Sequence, residues 1–262
     1  MRLIFLLLLL LCMFHVPIRH VEAATNDAVG DALTEVVNKV SEVSTVELKP
    51  EVDDGQAAEP TEEEMVAAIK EILRIGTERA VAKLARKDGF NKDPNVRITL
   101  PESLSRVRKA MAKLDNMEPV DIFELHMNRT AEHATPKVAG YYILAINQIK
   151  IKEVEKLISG KNNSATDHLK ARMKLGLTKV VRPIIKDSMR FAGTYLRYED
   201  LMEEYRKIPF EPNVRGDIEN YMIDSILEAL FLYMNEEESA IRLNPKDHPR
   251  STEIIKKVLI TQ

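Results

Sequence analysis

Cysteine is almost absent from this chain of 262 residues. The single Cys12 lies in an apolar leader, so the chain has no cysteine once that leader is removed. A chain without cysteine has no disulfide, no thiol nucleophile and no zinc site with cysteine ligands. It must be stabilised by its hydrophobic core, and this chain is long enough to form one.

Aromatic residues, glycine and excess positive charge are also scarce. There is no tryptophan, aromatic residues make up 5% of the chain, and glycine occurs nine times. This composition favours helices over a β fold rich in turns. The formal net charge is −3, whereas proteins that bind nucleic acid usually carry a basic excess. We therefore expect an all-α protein without a nucleic-acid partner.

The first 23 residues have the features of an export signal. Arg2 precedes the apolar run Leu3–Phe14, and Ala23 places a small residue at the cleavage position. Such a run spans about 18 Å as a helix, which is shorter than the roughly 30 Å core of a bilayer. We predict a signal peptide over residues 1–23, cleaved near Ala23, and a secreted, periplasmic or envelope-resident protein. An uncleaved anchor is the alternative.

Residues 24–60 separate the leader from the folded part. Ala28–Val43 has the spacing of a weak helix, and Ser44–Pro60 is acidic, contains proline and has few large apolar residues. The second stretch is typical of a disordered, flexible linker. Thr61 and Glu64 then form the pattern of a capping box. We predict a compact multi-helix domain over residues 61–262.

Apolar residues recur at three to four positions through that domain, which predicts a series of helices. The predicted helices run from Thr61 to about Arg86, over Glu102–Leu114, Val120–Ile149 and Ile151–Ser159, onward from Ser164, and over Leu177–Tyr198, Asp217–Leu243 and Thr252–Leu259. Gly89 is expected to cap the first helix. Pro136 is expected to bend or split its helix, and Pro183 to kink or start one.

Several stretches occur in an order that resembles one family. They are IGTERAVAKL (75–84), DGF (88–90), VRITLPESL (96–104), FELHMNRTAEHATPK (123–137), ISGKNNSATDHL (158–169) and NEEESAIRLNP (235–245). Together they resemble the exported helical proteins catalogued as domain-of-unknown-function family 4197. The resemblance implies an exported α-helical protein. It implies no activity, so no functional residues follow from it.

The stretch 123–137 is dense in residues that can carry chemistry. His126 and His133 lie seven positions apart with Arg129 between them, whereas two metal ligands on a helix stand three or four positions apart on one face. We therefore predict no metal site. The chain also lacks a glycine-rich phosphate loop, a G-x-S-x-G elbow and an H-E-x-x-H motif, and we expect no cofactor.

Glu124, Asn128 and Glu132 are spaced four apart and form a polar stripe beside the apolar face of their helix. With Arg79 from another helix, they are interpreted as a satisfied polar network that locks two helices together. The alternative is a site for a small polar ligand, to which Arg129 also belongs. An enzyme using Arg79, Glu124 and Glu132 as its polar groups is a further hypothesis.

A basic face is predicted on a later helix, formed by Lys179, Arg182, Lys186 and Arg190. Such a face can contact an anionic membrane or an acidic partner. Alternatively, it pairs internally with the acidic segment 199–238. Asn162 begins a glycosylation sequon in a predicted loop, whereas the sequon at Asn128 lies within a helix.

From the sequence alone, a non-catalytic binding or scaffold module is the favoured function. Its ligand would be a small polar molecule or another protein. The alternatives are an enzyme acting on a small polar substrate through the Arg/Glu cluster, and a peripheral membrane protein that uses the basic face.

Overall fold

A computed structural model describes residues 59–148, 152 and 154–260. Every regular element in these ranges is helical, which confirms the all-α prediction. The eight α-helices described are α1 (Glu62–Leu84), α2 (Ser105–Lys113), α3 (Glu118–Gln148), α4 (Val154–Ile158), α5 (Ser164–Phe191), α6 (Thr194–Arg206), α7 (Ile218–Leu243) and α8 (Glu253–Ile260). A 3-10 turn, Glu102–Leu104, precedes α2. The predicted signal peptide and nearly all of the predicted linker lie outside the described residues.

Helix α1 begins with the predicted capping box. The Thr61 hydroxyl accepts from the Glu64 amide, and the Glu64 carboxylate accepts from the Thr61 amide. The prediction that Gly89 caps the other end is wrong, because the C-cap is Ala85. Asp88 instead adopts the left-handed conformation, with φ of 65°. A Cβ at Gly89 would lie 2.5 Å from the Leu84 carbonyl oxygen, so the turn still requires glycine there.

Two prolines lie inside continuous helices. Pro136 lies within α3 and Pro183 within α5, so neither residue splits its helix or starts a new one. The predicted helix Leu177–Tyr198 is wrong in its bounds. Helix α5 has already begun at Ser164, and the helical path is interrupted at Gly193, before α6 begins. Gly193 has φ of 73°, a conformation that other residues rarely adopt.

The helices pack around one main core. Helix α1 packs on α7 and α3, α3 packs on α5 and α6, and α5 packs on α7. The core contains two aromatic contacts, Phe123 with Tyr198 at 5.6 Å between ring centroids and Tyr142 with Phe231 at 5.2 Å. A smaller cluster beneath α8 is formed by Ile72, Ile75, Ile241 and Ile255. Helix α3 contacts four of the other helices, α1, α5, α6 and α7.

None of the helices in the described ranges is both long enough and apolar enough to cross a membrane.

Candidate functional site

The polar stripe of α3 faces the loop that joins α1 to the 3-10 turn. Glu132 is 6% exposed, and its Oε1 accepts from the Phe90 and Asn91 amides, both at 3.2 Å. Its Oε2 accepts from Arg129 at 2.6 Å. Charge-assisted bonds of this kind compensate for the cost of burying a carboxylate. Glu132 therefore fixes the start of the loop.

Asn128 holds the middle of the same loop and is fully buried. Its Oδ1 accepts from the Ile98 amide at 2.9 Å, and its Nδ2 donates to the Ile98 carbonyl at 2.8 Å. The second Nδ2 hydrogen bond goes to the Glu124 carbonyl at 2.7 Å. The amide side chain thus pairs with both backbone groups of one loop residue, as a neighbouring strand would.

Glu124 fixes the end of the loop and is 3% exposed. Its Oε1 accepts from the Leu100 amide at 2.7 Å and from the Arg108 guanidinium. Arg97 approaches Oε2 at 3.5 Å. Two half-exposed arginines therefore neutralise one buried carboxylate. The stripe as a whole is a clamp on loop 85–101, and its hydrogen bonds are used inside the protein.

Arg129 extends this clamp to the left-handed turn. Its guanidinium donates to Asp88 Oδ1 at 2.7 Å and to Glu132. Hydrogen bonds from Lys92, Arg129 and Asn91 hold the pKa of Asp88 well below its usual range. Asp88 is therefore a carboxylate at neutral pH and stabilises the unusual backbone of its own turn.

The opposite flank of α3 holds the corner between α5 and α6. His126 Nδ1 donates to the Ala192 carbonyl at 2.5 Å, and Thr130 shares a hydrogen bond of 2.6 Å with Thr194. His133 stacks on Phe191, with ring centroids 4.3 Å apart and an interplanar angle of 11°. The two histidines that suggested chemistry in the sequence thus contact the end of α5 and the corner that follows it.

Arg79 is not part of this network. Its side chain is 60% exposed, and its nearest carboxylate is Glu237 on α7, at 3.8 Å. The structure therefore brings together Glu124, Asn128, Arg129 and Glu132 but not Arg79. Helix α1 directs its buried stripe toward the core, and Arg79 lies outside that stripe. The partner of the α3 stripe is a loop, not the helix that was expected.

A second buried polar cluster was missed in the sequence. Glu238 and Arg242 form an ion pair at 2.8 Å, with side chains only 1% and 4% exposed. Glu238 accepts from the Ala165 and Thr166 amides at 3.0 and 2.7 Å, which are unpaired donors in the first turn of α5. Arg242 donates to the Ile158 and Leu157 carbonyls at the end of α4, at 2.9 and 3.0 Å.

This pair therefore caps two helix ends at once. The only signal in the sequence is a glutamate followed four residues later by an arginine, which is also the pattern of an ordinary exposed ion pair.

Some cations of the predicted basic face form ion pairs within the protein, and others do not. Lys186 bonds Glu219 of α7 at 3.0 Å, and Arg190 pairs with Asp187 of its own helix. Lys170 and Lys174, nearer the start of α5, share Glu228 of α7 at 2.5 and 2.7 Å. The expected pairing with the acidic segment thus occurs for some of these cations. Lys179 and Arg182 make no ion pair among the residues that the structure describes.

A cavity of about 240 Å³ lies between the start of α3 and α6. It is lined by Glu118, Pro119, Ile122, Arg197, Asp200, Glu203 and Glu204. Four carboxylates and one arginine make this cavity unsuitable for an anionic ligand. In the described ranges, no three or more His, Cys, Asp or Glu side chains are placed to hold a metal ion.

The two sequons differ in their surroundings. Asn162 is exposed in the turn before α5, so its side chain is accessible for modification. Asn128 is fully buried in the loop clamp. Only Asn162 therefore remains a glycosylation candidate in the folded chain.

A family model described as "Protein of unknown function (DUF4197)" matches residues 59–259. The chain belongs to this family. None of the curated proteins and none of the solved structures gives a significant match to it.

The histidines predict how stability depends on pH. Burial and the neighbouring Lys137 lower the pKa of His133 from its usual 6.5, and burial and Arg172 lower the pKa of His168. Both rings bind protons more tightly when the chain is unfolded. Their contribution to stability is therefore complete above the unfolded pKa and is lost as the pH falls below it.

We expect the free energy of unfolding to decrease between about pH 7 and about pH 5. Urea unfolding at several pH values measures this slope. The variant His133→Gln with His168→Gln should flatten it relative to the unaltered chain. An unchanged slope in the double variant would contradict the assignment.

Proposed function

We propose that this protein is an exported, non-catalytic binding module that recognises an anionic partner through the exposed side of α5. This surface, called the α5 face, consists of Arg172, Leu175, Lys179, Val180, Arg182, Pro183, Lys186, Asp187, Arg190 and Phe191. The observation that carries the proposal is its charge. Five cations and one carboxylate lie on this face, although the whole chain has a net charge of −3.

Three of these cations are available to an external partner. Lys186 and Arg190 are neutralised by carboxylates, whereas Arg172, Lys179 and Arg182 have no such partner in the part of the chain that the structure describes. Unpaired cations concentrated on one face attract anions over roughly a Debye length, about 8 Å at physiological ionic strength.

The use of the α3 stripe supports a role without catalysis. A general acid or base must be within hydrogen-bond reach of a substrate proton. Glu124 and Glu132 are nearly inaccessible, and their oxygens accept from loop amides and arginines. Export is proposed from the leader over residues 1–23, and the surface needed for binding lies entirely within the folded domain.

The proposal is tested by retention on immobilised polyglutamate at low ionic strength. We expect the mature chain to be retained despite its net negative charge, and the variant Lys179→Glu with Arg182→Glu to pass through. Lys109→Glu with Lys113→Glu makes the same change of charge on the exposed side of α2 and should remain bound. Equal behaviour of the two variants would show that binding does not depend on the α5 face.

A further inference from the structure

Large apolar side chains are exposed among the cations of the α5 face. Leu175 is 81% exposed, Phe191 77% and Val180 44%. On the adjacent α3, Leu144 is 51% exposed and Tyr141 36%. Single exposed apolar residues are ordinary, but a group of them on one surface marks an interaction site.

The exposed apolar side chains belong to two helices that pack on each other, α3 and α5. His133 of α3 stacks on Phe191, and Lys137, one turn further along α3, also lies near that ring. The middle of α3 is therefore adjacent to the end of α5. Leu144 and Tyr141 follow on the exposed side of α3, as Val180 and Leu175 lie on that of α5.

Cations lie near these exposed apolar side chains. Lys137 lies 5.9 Å from the centroid of the Phe191 ring, and Lys179 is adjacent in sequence to Val180. Arg182 extends from the other edge of the α5 face. Long basic side chains can lie along apolar surface while their charged ends reach outward. The surface thus combines exposed aliphatic and aromatic groups with long, flexible cations.

This arrangement suits a fluid surface better than a folded acidic protein. Apolar anchors in protein interfaces fill pockets and are surrounded by well-packed contacts. The exposed groups here instead extend along a helix over about 24 Å, from Leu175 to Phe191, at 1.5 Å per residue. The space beside Gly176 on this face is open, since a Cβ added there would meet no other atom within 4 Å. The cavity described above is acidic and lies near α6.

We propose that the α5 face, together with Leu144 and Tyr141, binds the surface of an anionic membrane. This inference rests on the proposed function and specifies its partner. The aliphatic and aromatic groups enter the boundary between headgroups and acyl chains, and Lys179 and Arg182 contact lipid phosphates. The protein remains peripheral, held by one shallow contact of the folded domain.

The test is sedimentation of the mature chain with two kinds of vesicle, phosphatidylcholine alone and phosphatidylcholine mixed with phosphatidylglycerol. We expect binding to the mixed vesicles only, weakened by added salt. Each cation at the surface contributes about 1 kcal/mol, so Lys179→Glu with Arg182→Glu should reduce the affinity by at least about thirtyfold. The α2 control, Lys109→Glu with Lys113→Glu, should bind as the unaltered chain does.

The apolar groups are tested separately with Leu144→Ser plus Val180→Ser, and independently with Leu175→Ser. These side chains are 44–81% exposed, so the fold should tolerate the changes, and thermal unfolding monitors it. We expect the double variant to lose about tenfold in affinity for vesicles. Its retention on polyglutamate should be unchanged, because no charge is altered.

Different failures have different meanings. Retention on polyglutamate without binding to anionic vesicles would overturn the membrane inference and leave the proposed function standing, with an acidic protein as the partner. Vesicle binding that is insensitive to all three serine substitutions would also overturn it, because the apolar groups would then not enter the lipid. If the unaltered chain binds neither polyglutamate nor anionic vesicles, the proposed function itself is overturned.

Discussion

Replacing Arg242 with methionine is expected to lower the free energy of unfolding by about 3–5 kcal/mol. The change leaves the Glu238 carboxylate buried without its counter-charge, and leaves the Ile158 and Leu157 carbonyls without their donor. Methionine preserves much of the volume, so the loss reports on charge and hydrogen bonding. Equilibrium unfolding in urea measures it.

The chain contains a matched control for this prediction. Arg74 and Glu78 are also four residues apart on one helix, and their ion pair is 2.5 Å, but the side chains are 38% and 36% exposed. Pairs exposed to water contribute about 0–1 kcal/mol, so Arg74→Met should cost no more than that. If the two substitutions cost the same, burial of the Glu238–Arg242 pair would not be the source of its importance.

Local loss of structure provides a second measurement. Because Glu238 and Arg242 cap the start of α5 and the end of α4, the Arg242 variant should expose amides there to hydrogen exchange first. The turn that carries Asn162 lies between those two helix ends. Increased exchange confined to another part of the chain would contradict the capping role.

Most helices could be predicted from the sequence because their signals are local. A capping box and apolar spacing mark the start and the buried face of α1, and both are properties of neighbouring residues. The break at Gly193 could not be predicted in the same way. Apolar spacing continues through it, and the break depends on the α5–α6 corner that His126 and Thr130 hold from a distant helix.

The site was predictable to a similar extent. The spacing of Glu124, Asn128 and Glu132 indicates one stripe, and the structure shows these three side chains together. Their partners are backbone groups of a loop, which no side-chain pattern indicates. The buried role of Glu238 likewise depends on amides 72 and 73 positions earlier in the chain, so its local sequence resembles an exposed helix surface.

Replacing Asn128 with alanine should detach the centre of loop 85–101. The substitution leaves the Ile98 amide and carbonyl buried without partners, and each unpaired buried group costs about 1–3 kcal/mol. We expect a loss of about 3 kcal/mol in the free energy of unfolding. Hydrogen exchange should accelerate at Ile98, and trypsin should cleave sooner at Arg97, because both residues lie in the part of the loop that detaches from α3.

Asn128→Asp separates hydrogen bonding from volume. Aspartate retains an acceptor for the Ile98 amide but faces the Ile98 and Glu124 carbonyls with an oxygen in place of a donor. It should therefore destabilise the fold at least as much as alanine does, because a buried carboxylate without a donor is costly. Asn147→Ala, at an exposed position of the same helix, is the control and should change stability by less than about 0.5 kcal/mol. A stable, protease-resistant Asn128→Asp variant would show that the hydrogen bonds of Asn128 do not hold the centre of the loop.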